Sequence, residues 1–453
     1  MHQPTEMAVT DVGRLMEVRV YKKIQVKHTE DISEALQEAR DKKIKIAVSG
    51  SHHSQGGQTM YDRAIVLDML PYHKVLNLDV NHKIIRVQSG ITWEQIQAKI
   101  NPHGLAIRVM QSSNIFTVGG SLSSNIHGRD PHEGPIIDTV ESFRLMTAEG
   151  KILNVSRTEH AELFPLVIGG FGLFGIILDV DLRLTDNRML IQNTSPVDYR
   201  DFPSYFAENV QGNDIIDLTV ARLSSAPASF LTDMYVTNFE LAQPSLTEKV
   251  IALKGERAVE ASKLLFGLSR KYDWGKNWSW SIQKKLYANE SDKRITRNNA
   301  MRPEIQFTEY RDVQKTDLLQ EYFIPIDSFV PFVDGLREIV QQDKLNLVNL
   351  TVRYVPKNEE AVLSYAQEDC FALVVLFNHK RSPAQIAKLE KSTQRIVDLA
   401  LKNKGSYYLT YQLFPTLEQF KQAYPNEQTF FQAKTRWDPE HLFMNEFAGR
   451  YAP

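Results

Sequence analysis

The sequence predicts an α+β fold built in two parts, and three observations lead to that prediction. Short β-branched runs, broken by glycine-containing turns, occupy the stretch from about residue 18 to 187. Longer strands and longer helices occupy the stretch from about 190 to 415. The 453 residues are enough for two domains with separate cores. We therefore expect domains at 1–187 and 188–418, and a C-terminal segment at 419–453 that returns to the first domain.

The first part alternates apolar runs with helical stretches. Its strand candidates are IKIAVSG, AIVLDM, KIIRVQSG, SFRLMTAEG, KILNVS and FGIILDVDLRL. Its helix candidates are residues 31–43 and 92–104, and Thr92 before Glu94 and Gln95 is a typical helix start. Strands and helices that alternate with short links indicate an α+β or α/β domain.

The second part has longer strands and longer helices than the first. Its strand candidates are DMYVTNFEL, LNLVNLTVRYV and CFALVVLFN, and its helix candidates are PIDSFVPFVDGLREIVQQ and SPAQIAKLEKSTQRIVDLALKNKG. The last of these begins with Ser382 and Pro383, a cap and a first helical residue, and reaches its stop signal at Gly405. This spacing predicts an antiparallel sheet backed by helices.

The composition excludes several classes of protein. The chain has 53 basic and 55 acidic side chains, so no global charge favours nucleic acid as a partner. Its single cysteine, Cys370, excludes an intramolecular disulfide and a cysteine-based metal cluster. No apolar run is long enough for a membrane span, and residues 1–20 lack the apolar core of a secretory signal. We expect a cytoplasmic location, with contact to a membrane surface as the alternative.

Three glycine-rich loops carry the functional signal. They are GSHHSQGGQ at 50–58, TVGGSLSSNIHGRD at 117–130 and IGGFGLFGIILDV at 168–180, and each adjoins an apolar strand. Glycine and serine leave room for backbone N–H groups to approach a phosphate, and glycine tolerates a positive φ. A single glycine-rich turn commonly does no more than connect secondary-structure elements, but three together suit a long anionic ligand such as a dinucleotide.

Other nucleotide motifs are absent from the sequence. None of the loops has the strand–GxGxxG–helix spacing of a Rossmann fold, and no GxxxxGK[ST] motif occurs. No set of His, Asp and Glu residues has convincing metal-ligand spacing, so we expect no catalytic metal.

In their order and spacing, the three loops resemble the FAD-binding domain of the vanillyl-alcohol oxidase/para-cresol methylhydroxylase superfamily. The closing RWDPEHLFMNEF resembles the DPxxxFxN segment at the end of that superfamily, here Asp438, Pro439, Phe443 and Asn445. The resemblance implies a PCMH-type FAD-binding domain made of two α/β subdomains, followed by a substrate domain. It implies FAD as the cofactor. The cofactor contacts that it implies are Ser49, Gly50, Ser51, His52, His53, Ser54, Gly119, Gly120, Ser121, Asn125, His127, Gly128, Gly175 and Ile176.

The resemblance places His53 where many members attach the flavin C8α covalently. The usual GxGHS pattern reads Gly50, Ser51, His52, His53 and Ser54 here, so His52 stands in place of a glycine. Imidazole is a competent nucleophile toward the activated methyl group, and a covalent bond raises the flavin potential. The alternative is that His53 only forms hydrogen bonds to the cofactor or the loop.

The substrate half resembles the sugar-alcohol and aldonolactone oxidase branch at 350–376, where an Arg lies over the flavin. Arg353 holds that place and would stabilise developing negative charge; its alternative is a surface ion pair. The branch also carries an acid two residues earlier, where this chain has Thr351. It expects a Lys near GSYYLTYQLF, where Tyr411 and Gln412 stand and supply the candidate polar contacts.

A second resemblance joins 278–323 and NIHGRDPHEGP to the decaprenylphosphoryl-ribose oxidase branch. Residues 254–297 also contain eleven Lys or Arg against five Asp or Glu, with Trp274, Trp278 and Trp280 between them. This insert is either a solvated helical element or a surface that binds anionic lipid.

Together these features predict an FAD-linked oxidoreductase that oxidises a CH–OH group of a sugar, polyol or related alcohol by hydride transfer to flavin N5. The electron acceptor is oxygen or a quinone, and the sequence does not choose between them. Two alternatives stay open: a peripheral membrane oxidase of a lipid-linked sugar, and a non-catalytic flavin-binding protein. The oligomeric state is not predicted.

Overall fold

The fold contains several β-sheets with helices packed against them. The computed structural model describes residues 7–242, 252–255, 259–289, 293–302 and 312–453. Parts of the 254–297 insert and of the 278–323 stretch lie outside the described residues. The first hairpin pairs β1 (Met7–Thr10) with β2 (Glu17–Val20).

The N-terminal subdomain is a three-stranded parallel sheet with one long helix. Strands β3 (Lys22–Gln25) and β4 (Ile46–Ser49) both pair with β5 (Ile65–Asp68). Helix α1 (Thr29–Lys42) buries Ile32, Ala35, Leu36 and Ala39 along one face. That spacing is the apolar stripe of an amphipathic helix, so it packs α1 onto the sheet. The first glycine loop leaves the end of β4.

The second subdomain is a six-stranded antiparallel sheet in the order β10–β9–β11–β7–β6, with β8 paired to the end of β11. Its strands are β6 (Val75–Asp79), β7 (Ile84–Gln88), β8 (Leu105–Ile107), β9 (Val140–Met146), β10 (Ile152–Ser156) and β11 (Ile176–Asp186). Its helices are α2 (Trp93–Ile100), α3 (Val118–Ser123) and α4 (Phe164–Val167). The Thr92 side chain caps α2, as its sequence predicts.

The third sheet has eight antiparallel strands in the order β15–β12–β14–β13–β17–β18–β16–β19. Its strands are β12 (Met189–Asp198), β13 (Ile216–Leu223), β14 (Asp233–Leu241), β15 (Lys293–Thr296), β16 (Lys315–Pro325), β17 (Leu347–Val355), β18 (Cys370–Lys380) and β19 (Ser406–Tyr407). The helices of this region are α5 (Phe202–Asn209), α6 (Val259–Lys271), α7 (Asp273–Asn289), α8 (Arg297–Ala300), α9 (Phe329–Gln342) and α10 (Pro383–Lys402).

The antiparallel sheet backed by helices is therefore confirmed. Helices α9 and α10 bury apolar stripes, and the Phe329, Phe332 and Phe371 rings join one large core. Pro383 is the first residue of α10, as predicted, whereas the helix ends at Lys402, before Gly405. Lys404 takes the left-handed φ of 57°. The stop signal thus lies in the turn that follows the helix.

The C-terminal segment contains α11 (Leu417–Ala423), α12 (Glu427–Trp437) and α13 (Glu446–Tyr451). Between the last two helices the chain adds to the edge of the parallel sheet, where Phe443 forms a parallel bridge to Ile46. The buried Asp438 accepts the backbone N–H groups of Leu442 and Phe443. The DPxxxFxN segment therefore fixes this return to the first subdomain.

The basic insert includes the helix pair α6 and α7. Trp280 is buried and stacks on Tyr235, whereas Trp274 and Trp278 are exposed. Within the described residues, no helix is long and apolar enough to cross a membrane.

Candidate functional site

The three glycine loops meet in one cleft of about 1240 Å³, measured out to its open mouth. Most of the predicted cofactor contacts lie in its wall: Ser49, Gly50, Ser51, His52, His53, Ser54, Gly119, Gly120, Ser121 and Gly175. Residues from β16 and from the turn after β19 close the opposite side. The cleft thus lies between the two N-terminal subdomains and the eight-stranded sheet.

Two glycines allow the loops to approach each other. A Cβ on Gly50 would lie 2.1 Å from Thr117 Oγ1, and a Cβ on Gly119 would lie 3.0 Å from the Ser89 carbonyl oxygen. A Cβ atom cannot lie 2.1 Å from Thr117 Oγ1, so a side chain at Gly50 would either push the first and second loops apart or rotate the Thr117 hydroxyl away. Glycine is required here by space. At Gly175 it is also required by backbone conformation, because φ is 149°.

The second loop is more regular than its sequence predicts. Residues 118–123 form the short helix α3, and the Thr117 hydroxyl accepts the Gly120 N–H. A run that reads VGGSLS has low helix propensity, so its conformation is set by the packing of its neighbours. Trp93 donates its indole N–H to Ser121 at 3.0 Å, which fixes the inner side of the loop.

The first loop is held to the substrate half by Gln55 and Gln58. The Gln58 side-chain amide donates to the Leu409 carbonyl at 2.6 Å. The Gln412 amide donates to Gln55 Oε1 at 2.6 Å, and the Gln55 N–H donates to the Thr410 carbonyl. These bonds place Tyr411 in the wall of the cleft.

The two loop histidines point in different directions. His52 has a left-handed φ of 56°, and its Nε2 lies 3.0 Å from Lys23 Nζ. Burial and the Lys23 charge lower the pKa of His52, so its imidazole is neutral at pH 7. His53 is exposed in the cleft and packs edge-on against Phe116, with ring centroids 4.9 Å apart. Both histidines line the cleft, and His53 is the more exposed of the two.

Four of the predicted contacts lie outside the lining of the cleft. Ile176 belongs to the core of the first subdomain. Asn125 has a φ of 46°; its carbonyl oxygen accepts the Tyr365 hydroxyl at 2.6 Å. Gly128 lies near Met110. His127 is buried behind the cleft, where its Nε2 lies 2.6 Å from Glu321 Oε1. A direct FAD contact for these four stays a prediction.

The residue that sequence reasoning missed is Glu321. It lies in the middle of β16 and is only 4% exposed. Its second carboxylate oxygen is 3.4 Å from the Tyr411 hydroxyl. The only sequence signal was a carboxylate inside the otherwise mostly apolar run LLQEYFIP. Its pairing with His127, 194 residues away, could not be read from the sequence.

Arg353 lies on β17 and faces the same region. Its guanidinium donates to Ser112 Oγ at 2.7 Å, while its Nε is buried without a partner among the described residues. Burial lowers the pKa of Arg353, and the Glu321 carboxylate opposes that shift. Arg353 is therefore not an exposed surface ion pair. It keeps an unused donor beside the cleft.

The cleft fits the phosphates of a dinucleotide. Two serine hydroxyls in its wall, Ser54 Oγ and Ser89 Oγ, are buried and have no hydrogen-bond partner among the described residues. Buried hydroxyls are normally paired, and phosphate oxygens would accept from both. Within the described residues, no cluster of His, Cys, Asp and Glu could hold a metal ion.

This arrangement defines a flavin-nucleotide site, and sequence comparison identifies the domain. Residues 23–156 match the FAD binding domain family. This part of the chain is an FAD-binding domain, so FAD is the cofactor. The predicted α+β fold with an FAD-binding domain is confirmed.

Three proteins are similar in sequence to part of this chain. The chain is 29% identical over 142 residues to decaprenylphosphoryl-beta-D-ribose oxidase of Mycolicibacterium smegmatis, covering 31% of each chain. It is 29% identical over 167 residues to L-gulonolactone oxidase of Bos taurus, covering 37% of this chain and 38% of the relative. It is 29% identical over 164 residues to mitochondrial L-galactono-1,4-lactone dehydrogenase of Brassica oleracea, covering 36% and 27%. The similarity thus spans about a third of each relative's length.

Proposed function

We propose that this protein is an FAD-dependent oxidoreductase that oxidises a CH–OH group of a sugar, polyol or related alcohol. The observation that carries the proposal is that the glycine-lined cleft is closed by Tyr411, with Glu321 and Arg353 beside it. A phosphate cradle that adjoins a phenol, a carboxylate and a guanidinium joins cofactor binding to proton transfer. The printed names of the relatives, which include a ribose oxidase and two lactone-related enzymes, support a sugar-derived substrate.

We assign separate roles in cofactor binding and catalysis to the residues of the cleft. FAD, when bound, would supply the acceptor for two electrons transferred as a hydride. Ser54, Ser89 and the backbone of the first two loops hold the phosphates. Tyr408 and Tyr411 form the wall between the cleft and the eight-stranded sheet, which keeps water from the reacting carbon. Arg353 supplies positive charge where negative charge develops.

Gln412 is the least supported of the predicted catalytic residues. It is buried, and its amide is bonded to Gln55. Its Oε1 is buried without a partner among the described residues. The contact to Gln55 holds the first loop in place, so we propose that Gln412 positions the loop and, through it, the neighbouring Tyr411.

We also propose that FAD is linked covalently through His53. Its ring is exposed in the cleft, whereas His52 is directed toward Lys23. The contact with Phe116 holds the imidazole against the wall from which it would reach the flavin methyl group. The link would raise the flavin potential and favour oxidation of the substrate.

A second candidate function is suggested by an exposed surface on α6 and α7. Leu264, Tyr272, Trp274 and Trp278 are each about half or more exposed, and the Tyr272 and Trp274 rings stack 5.5 Å apart. Exposed Trp and Leu with neighbouring Lys residues are typical of a membrane-surface element. A lipid-linked sugar would then be the substrate. Sedimentation with vesicles that contain anionic lipid, abolished in the Trp274→Ala/Trp278→Ala variant, would favour this candidate.

Anaerobic mixing with a panel of sugars, polyols and lactones tests the proposed function. The flavin absorbance should bleach with at least one member, and oxygen or a quinone should restore it. Bound flavin that no member of the panel reduces would favour the alternative of a non-catalytic flavin-binding protein. Protein that is colourless and does not bind added FAD would contradict the proposal entirely.

A further inference from the structure

Glu321 is a buried carboxylate that cofactor binding does not explain. It is 4% exposed and lies at the centre of β16. A carboxylate removed from water is costly unless it is paired and hydrogen-bonded. The structure gives it one close partner, His127, at 2.6 Å. Its other oxygen faces Tyr411, a residue of the cleft wall.

The sheet register places Glu321 and Arg353 on the same face. Glu321 is paired with Val374 of β18, and Val374 is paired with Thr351 of β17. Two residues further along the strands, Arg353 is paired with Ala372 of β18, and Ala372 is paired with Phe323 of β16. Because side chains alternate between the two faces of a strand, residues two apart share a face. Glu321 and Arg353 therefore project from the same face of the sheet, from strands separated by one neighbour.

Tyr411 connects that carboxylate to the cleft. Its hydroxyl is 3.4 Å from Glu321 Oε2, and its ring lines the cleft. Burial and the Glu321 charge raise the pKa of Tyr411 well above its usual value, so the phenol keeps its proton and donates toward the carboxylate. A group in the cleft can thus reach Glu321 through a single hydroxyl.

His127 fixes the position of the Glu321 carboxylate through the 2.6 Å contact between Nε2 and Oε1. The imidazole is 5% exposed, and its Nδ1 is buried without a partner among the described residues. A neutral ring protonated at Nε2 donates to Glu321 and leaves only a lone pair unpaired at Nδ1. In the opposite tautomer, the N–H at Nδ1 would have no acceptor, and the lone pair of Nε2 would face the carboxylate oxygen of Glu321. That arrangement is higher in free energy than the first.

We propose that Tyr411 and Glu321 form the path by which the substrate hydroxyl proton leaves the cleft, with His127 as the positioning residue. This inference deepens the proposed function and rests on it. The substrate O–H bond breaks and its proton passes to the Tyr411 oxygen, while the Tyr411 proton passes to Glu321 Oε2. The electron pair of the C–H bond leaves as the hydride that oxidised FAD accepts. One proton and one hydride leave the alcohol, so a carbonyl remains.

The charge state of Glu321 depends on every titratable group that faces it. These groups come from the second loop, β17, the turn before β18, β18 itself, the turn after β19 and the end of α11: His127, Arg353, Tyr365, Cys370, Tyr408, Tyr411 and Tyr424. Burial raises the pKa of the four tyrosines and of the cysteine, so they stay neutral. Arg353 is then the one permanent positive charge among these neighbours.

The test compares Glu321→Gln with wild type and with Glu418→Gln, a matched change at an exposed glutamate on α11. Gln keeps an oxygen for the His127 donor and removes the base. Loss of a general base lowers a rate by about 100- to 10,000-fold, so flavin reduction should slow by at least about 100-fold in Glu321→Gln. Its flavin-to-protein ratio should match wild type. The Glu418→Gln variant should behave as wild type in both measurements.

A spectroscopic readout keeps the proposal independent of turnover. Infrared difference spectra of resting holoprotein should contain a carboxylate signal at pH 7 that Glu321→Gln removes. On substrate reduction, a protonated carboxyl signal should appear in wild type and be absent from the variant. Tyr411→Phe should also slow reduction and leave the resting carboxylate signal in place.

The outcomes separate the two proposals. Normal reduction of Glu321→Gln by a substrate that reduces wild type would overturn the proton path and leave the proposed function standing. A protonated Glu321 in resting protein would also overturn the path. Failure of every alcohol to reduce the wild-type flavin would overturn the proposed function, and the path with it.

Discussion

Replacement of Gly50 by Ala tests the approach of the first two loops. The new Cβ would lie 2.1 Å from Thr117 Oγ1 and 3.2 Å from Thr117 Cβ and Cγ2. To make room, either the loops separate or the Thr117 hydroxyl rotates away from the Gly120 N–H that it caps. We therefore expect weaker FAD binding.

The size of the effect follows from two costs. Overpacking of a filled contact costs about 1–3 kcal/mol, and loss of a helix N-cap costs about 1 kcal/mol. If the total of about 2–4 kcal/mol falls on cofactor binding, Kd for FAD rises by about 30- to 1000-fold. Any part that falls on folding lowers Tm instead, so both quantities are needed.

The assay is FAD titration by flavin fluorescence, carried out in a His53→Ala background so that apoprotein can be prepared. The matched control is Gly267→Ala, because a Cβ at Gly267 on α6 would meet nothing within 4 Å. The double variant Gly50→Ala/Thr117→Ala removes the hydroxyl that the new Cβ meets and should recover part of the loss. Unchanged FAD affinity and Tm in Gly50→Ala would refute the contact between the loops.

Three further predictions follow from named contacts. His53→Ala should release flavin into the supernatant on acid precipitation, where wild type keeps it; flavin that stays attached would contradict the link. The unfolded state binds more protons than the folded state between the lowered pKa of His52 and about 6.5, so the free energy of unfolding should fall as pH drops through that window. His52→Gln should flatten the decrease in urea titrations at pH 5 and 7. Lys434→Met leaves the buried Asp438 without its positively charged partner, so the free energy of unfolding should fall by about 3–5 kcal/mol; urea unfolding near wild type would contradict it.

The fold could be predicted because its signals are local. Apolar runs in the sequence indicated strands, and Thr92 and Pro383 indicated where helices begin. The three glycine loops indicated the cofactor, and they line one cleft in the structure. The loops also converge on one cleft: the first leaves β4 and the third enters β11, whereas the second contains α3 and, contrary to the sequence prediction, does not adjoin a strand.

The proton path could not be predicted because it depends on pairing between distant strands. Nothing near Glu321 in the chain indicates that His127 lies beside it, or that Arg353 shares its face. The sequence already showed that Thr351 stands where the resembled branch has an acidic residue. The carboxylate in the same row, on β16, became visible only with the sheet register.

The most direct test of the central claim is the position of FAD in a structure of the holoprotein. The account predicts the two phosphates between residues 49–54 and 117–121, and the flavin ring against the Tyr411 wall. FAD bound elsewhere, or phosphates more than a hydrogen-bond length from both loops, would contradict it.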